Sequence, residues 1–107
     1  MRIGGWNAYA VTAISAPFFA EKAGIANKQH VVSGLDADIA TAQATGVAVQ
    51  IVDPDVTPNT VLWSGTVKSE RSIAFDPPLT VPTGHGVMAV MAAPGAAASL
   101  NLHGATL

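Results

Sequence analysis

The chain has no cysteine. That excludes disulfides, Cys-ligated zinc, iron–sulfur clusters and thiol catalysis, and it leaves the redox compartment unreadable. Charge is scarce as well. Asp, Glu, Lys and Arg make up 11% of the 107 residues, against about 25% in an ordinary soluble domain. The five Lys and Arg are scattered and the net charge is −2, so there is no basic stripe to track phosphates and nucleic-acid binding is not expected. No apolar run reaches the roughly 18–20 residues that cross a bilayer as a helix, so no membrane partner is expected either. The opening MRIGGWNAYAVTAISAPFFA carries only Arg2 as a charged region, and Asn7, Thr12, Ser15 and Pro17 interrupt it. It is read as part of the fold rather than as a signal peptide.

Half of the residues are apolar, and alanine and valine supply much of that half. Small apolar side chains with few charges suit thin β-sheets and surfaces that pack against something; disordered chains have the opposite profile. A chain of this length is one domain, residues 1–107, able to bury about two-thirds of its unfolded surface.

Alternation with period two recurs along the chain, whereas helical spacing does not. In TGVAVQIVD (45–53), Val47, Val49 and Ile51 oppose Ala48, Gln50 and Val52. In TVLWSGTV (60–67), Val61, Trp63, Gly65 and Val67 share a face. ERSIAF (70–75) alternates Ile73 and Phe75 with Ser72 and Ala74, and ASLNLHG (98–104) turns Leu100 and Leu102 inward. QHVVSGLDADI (29–39) sets Val31, Leu35 and Ile39 against His30, Val32, Gly34, Asp36 and Asp38, and WNAYAVTAIS (6–15) fits a strand. GVMAVMAA (86–93) is apolar on both faces, the pattern of a strand covered on both sides.

The turn clusters DPDVTPN, DPP, PTGHG and APGA separate these runs, with Pro presetting φ or Gly permitting turn geometry. In AFDPPLTVPTGHG (74–86), the Asp76-Pro77-Pro78 break is expected to end pairing, with residues 79–81 a short connecting strand before a corner that holds His85. Short strands spaced this way predict an all-β antiparallel β-sandwich, jelly-roll-like, of about seven to eight strands. Residues 16–28 (APFFAEKAGIANK) fit least well. They are read as a loop or short helical turn, within a partly irregular N-terminal segment (1–28) involved in contacts.

Candidate chemistry is thin. His30, His85 and His103 have no second ligand at metal-binding spacing, and no HxH or HExxH occurs. Each is read as a solvent-facing or turn histidine. Asp36 and Asp38 share a strand face, while Asp53 and Asp55 sit in a turn where such residues cap their own backbone. Ser33 (VVSGL) and Ser64 (WSGTV) lie in strand patterns rather than in a GxSxG elbow. No catalytic residue, metal or cofactor is assigned, and the chain is read as a non-enzyme. Trp6, Tyr9 and Trp63 could stack sugars, but Trp6 and Tyr9 have opposite parity and Trp63 shares a face with valines. They read better as core or interface anchors. The residues expected at an interface are Trp6, Tyr9, Phe18 and Phe19, aromatics without clean core periodicity.

The C-terminal half, residues 60–107, resembles a group of small tailed-phage and prophage virion proteins of the head-decoration type. A strand closing on Phe75 is followed by Pro77-Pro78-Leu79. Gly84 and Gly95 mark turns, and Leu100, Asn101 and Gly104 complete an SLN-type ending. The resemblance implies a virion β-sandwich that binds the head surface, self-associating as a homotrimer and contacting the major capsid protein. The competing expectations are a glycan- or host-receptor-binding sandwich on a phage tail or fibre and, more remotely, a cupin-like metalloenzyme, for which the paired histidines are missing.

Overall fold

The computed structural model describes residues 4–12 and 16–107. Arg2 and residues 13–15 of the first predicted strand lie outside them. The described residues form eight strands and no helix: β1 (Gly4–Thr12), β2 (Phe18–Lys22), β3 (His30–Ile39), β4 (Val47–Asp53), β5 (Thr60–Val67), β6 (Glu70–Thr80), β7 (Val87–Met91) and β8 (Ala98–Thr106).

The antiparallel pairs β1–β8, β2–β7, β3–β6 and β4–β5 are nested. The chain is thus one long hairpin with the β4–β5 turn at its tip, rolled until β8 also meets β3 and β7 meets β4. Rolling yields two four-stranded sheets, ordered β1-β8-β3-β6 and β2-β7-β4-β5. This is a jelly-roll sandwich.

Alternation sorts each strand's residues between the inside and the two outer faces. Leu35, Ile39, Leu100 and Leu102 from the first sheet meet Val49, Ile51, Val87 and Met91 from the second, all buried. Each such side chain contributes roughly 1.5–3 kcal/mol of burial.

Three local readings change. Residues 18–22 are a strand rather than a loop or helical turn. Phe18 and Phe19 fall on opposite faces of β2, which resolves the adjacent pair that the sequence left awkward. A bulge at Ser33, between Val32 and Gly34, shifts the parity of β3. His30 and Val32 therefore point inward ahead of it, and Leu35, Ala37 and Ile39 beyond it. The prolines Pro77 and Pro78 do interrupt pairing, but β6 resumes with Leu79 opposite Val32. As an edge strand it tolerates the missing donors, so residues 70–80 are one strand and the corner is confined to 81–86.

Candidate interaction faces

The outer face of the β2-β7-β4-β5 sheet is the less polar of the two. Its central row runs Phe19, Val90, Gln50, Ser64 across the four strands. Met88 lies beside Val52 in the next row, followed by Val61, while Ala48 and Thr66 flank the row on the other side. Phe19 is 56% exposed, Val61 is 49% exposed, and Met88 and Val90 are half-buried. Glu21 is the one charged residue among these positions. The strand β7, apolar on both faces, is therefore covered on one side by the core and left open on the other within this chain. Val61 is on this face because a bulge at Leu62 breaks the register between Ile51 and Val52, so it parts from Trp63.

The outer face of the β1-β8-β3-β6 sheet is polar and acidic. Three cross-strand rows define it: Asn7, His103, Gly34, Ala74; then Tyr9, Asn101, Asp36, Ser72; then Val11, Ser99, Asp38, Glu70. Tyr9 is 66% exposed. Two open depressions adjoin here and share Asp38 and Ser99. One, of about 260 Å³, reaches Tyr9 and Asn101, and the other, of about 330 Å³, lies among Val11, Ala40 and Ala97.

Within the first row, the Ser33 hydroxyl donates to the His103 carbonyl at 3.3 Å and lies 3.4 Å from Nδ1 of the same residue. Nε2 of His103 is 3.8 Å from the Asp36 carboxylate. The bulge that turns Ser33 outward thus assembles a serine, a histidine and an aspartate that no spacing in the sequence announces. The group is loose. The ring–carboxylate separation exceeds hydrogen-bond length, and the hydroxyl is committed to a carbonyl of its own sheet rather than to a base.

His30 is fully buried, against the expectation of a solvent-facing or turn position. The parity shift at Ser33 carries it inside. There its ring meets the edge of Trp6 at 5.7 Å between centroids. Nε2 lies 2.8 Å from the Ala23 carbonyl and Nδ1 2.8 Å from the Thr106 hydroxyl. A carbonyl only accepts, so the ring donates from Nε2 to Ala23, and Nδ1 shares its hydrogen bond with the Thr106 hydroxyl. His85 sits in the 81–86 corner, its side chain 32% exposed, paired with the buried Asp53. Among the described residues no group of three or more His, Asp or Glu is placed to hold a metal ion.

The four aromatics expected at an interface do not converge. Trp6 and Phe18 pack inward against the core, while Tyr9 and Phe19 are exposed on opposite outer faces. Trp63 is half-buried, with Phe75 at its edge and the Arg71 guanidinium 5.5 Å above its ring. That leaves it no open face for a sugar.

No family model and no curated protein matches the chain. Solved structures share its fold. A chain from the acid-stable capsid of Helicobacter pylori bacteriophage KHP30 is similar at TM-score 0.56 and 13% identity, over 95% of this chain and 87% of that one. The Drosophila NLP core is similar at TM-score 0.51 and 11% identity, over 98% and 97%. A Bacillus endospore-appendage pilus chain is similar at TM-score 0.51 and 13% identity, over 99% and 88%. At these identities the likeness carries the fold and nothing finer.

Proposed function

We propose that this chain is a non-enzymatic bacteriophage virion structural protein, a decoration or cement protein that binds the head surface as an oligomer. The observation that carries the reading is β7. Its sequence is apolar on both faces, yet the fold covers only Val87, Ala89 and Met91, leaving Met88 and Val90 beside the exposed Phe19. Apolar sheet faces of this kind mark protein–protein contact, and the near absence of charge removes the desolvation cost that docking would otherwise incur.

Two further points support it. The residue pattern of positions 60–107 resembles decoration-type virion proteins, and a chain of the KHP30 phage capsid has this fold. The NLP core, whose structure bears on pentamer formation, has the same fold, which supports self-association of this chain. Several copies acting together convert modest contacts per subunit into tight attachment. The trimer and the major capsid protein are the proposed partners. The competing reading, a glycan- or receptor-binding protein of a tail or fibre, differs in having no attachment through the Phe19 face.

The test is a mass measurement by light scattering, followed by co-sedimentation with undecorated heads of a host phage. An oligomer that pellets with heads supports the reading; a monomer that stays in the supernatant overturns it.

A further inference from the structure

We infer that the acidic outer face of the β1-β8-β3-β6 sheet is a binding site for a neutral saccharide, centred on the row Tyr9, Asn101, Asp36 and Ser72. It is independent of the attachment proposal, which uses the other face of the sandwich.

Four observations carry it. Tyr9 is 66% exposed on the rim of an open groove of about 260 Å³. A ring held this far out of a sheet of small residues offers a face against which the C–H side of a pyranose can stack, with the phenol as a polar handle. The cross-strand register then fixes what lies beside it: Asn101 one strand away, Asp36 two strands away and Ser72 three. At about 4.8 Å per strand, a sugar ring stacked on Tyr9 carries its hydroxyls over the Asn101 amide and the Asp36 carboxylate. Planar amide and carboxylate groups suit adjacent hydroxyls, because each offers two hydrogen-bonding atoms in fixed relation.

The third observation is that these groups are not used by the fold. Among the described residues Asn101 and Ser72 make no side-chain hydrogen bond, and the Asp36 carboxylate has only His103, at 3.8 Å. Small-molecule sites combine an apolar or aromatic wall with a few convergent polar groups of this sort. The fourth concerns charge. The twelve positions of the three rows hold three carboxylates, Asp36, Asp38 and Glu70, and no Lys or Arg. Asp38 and Glu70 lie directly opposite each other, an arrangement that costs stability in a sheet. This field repels phosphate, sulfate and carboxylate groups, so the saccharide is neutral and its hydroxyls act as donors to the carboxylates.

A single shallow groove holding one hexose has a dissociation constant on the order of 1 mM, which multivalent display on an assembly would strengthen. The test uses the full chain on an array carrying neutral, sialylated and sulfated oligosaccharides, followed by titration calorimetry with the neutral hits. The expected result is binding of neutral oligosaccharides only, unchanged between low and high salt. Tyr9→Ala and Asp36→Ala should each weaken it by about tenfold or more, while Tyr9→Phe, which keeps the ring, stays close to the parent. Because Tyr9 is exposed, thermal unfolding of the variants should match the parent, so lost binding is not lost folding.

A blank array with no heat from neutral sugars at several times that concentration would overturn the inference, as would binding that survives Tyr9→Ala. Preference for the anionic glycans would overturn it too. Capture of Lys- and Arg-rich peptides that salt abolishes would give the face to a basic protein partner instead. None of these outcomes changes head attachment through the Phe19 face, so the two proposals fail separately.

Discussion

Nδ1 of His85 lies 2.7 Å from Oδ2 of Asp53, joining the corner after β6 to the turn after β4. Oδ1 of the same aspartate accepts the Asp55 amide at 3.0 Å, and the Asp55 carboxylate in turn accepts the Gly86 amide. Two acids of one turn therefore latch a second loop. Asp53 is 3% exposed at its side chain and His85 32%, so the pair is dry on the carboxylate side and wet on the other.

Asp53→Ala removes a buried acceptor and strands the Asp55 amide, at a cost of about 2–3 kcal/mol. His85→Ala should cost less, about 1 kcal/mol, because solvent reaches the imidazole and screens the interaction. Urea unfolding of the two single variants and the double variant checks this. The double should lose less than the two singles combined; strict additivity would mean the latch is not energetically coupled.

His30 gives a second prediction. His30→Ala opens a cavity beside Trp6 and orphans both the Ala23 carbonyl and the Thr106 hydroxyl. The expected loss is about 3 kcal/mol by denaturant titration. In a Trp63→Phe background, the fluorescence of Trp6 should shift as its ring neighbour disappears. A loss below about 0.5 kcal/mol, the level of an ordinary surface change, would contradict the buried, doubly bonded ring.

Much of this fold can be read from period-two alternation, because Val47, Val49 and Ile51 of β4, Val87, Ala89 and Met91 of β7, and Ala98, Leu100 and Leu102 of β8 are apolar at every second position. What could not be read has one recurring cause. A bulge moves a single residue and reverses every face beyond it, so Ser33 hid the burial of His30 and Leu62 hid the exposure of Val61. Strand β2 was missed for another reason. Five residues with adjacent phenylalanines carry no alternation signal until one knows that Phe19 faces an uncovered side. The polar groove was half legible: Asp36 and Asp38 share a face by parity alone. Tyr9, Asn101 and Ser72 joined them only through pairing between strands as distant as β1 and β6. The Asp53–His85 latch depends on two loops meeting in space, and local sequence does not encode that.

Gly104 tests the close approach of β8 to β3. A Cβ at this position would run into the Val31 backbone carbonyl and come within 2.8 Å of the Trp6 ring. A backbone carbonyl in mid-sheet cannot yield, so Gly104→Ala should destabilise by about 3 kcal/mol. Gly5, on the adjacent strand, is the matched control. Its added Cβ would meet nothing nearer than 3.8 Å, so Gly5→Ala should be neutral or stabilise by about 0.5 kcal/mol through the unfolded chain. Thermal or urea unfolding separates the two, and equal effects would mean the strands can part at Gly104.

The attachment reading is tested most directly by Gln50. This residue is exposed and lies between Val90 and Ser64 in the central row of the apolar face, two strands from Phe19. Gln50→Lys changes no core contact, so unfolding free energy should stay within about 0.5 kcal/mol of the parent. If a partner covers this face, however, the ammonium must be desolvated without a counter-charge, at a cost of several kcal/mol per subunit. Head co-sedimentation, or self-association measured by light scattering, should then fall by about a hundredfold or more in affinity. Asn7→Lys places the same charge on the opposite face and should leave assembly intact. Assembly that tolerates Gln50→Lys as well as Asn7→Lys would show that the β2-β7-β4-β5 face stays in water, and the apolar exposure of Phe19, Met88 and Val90 would need another cause.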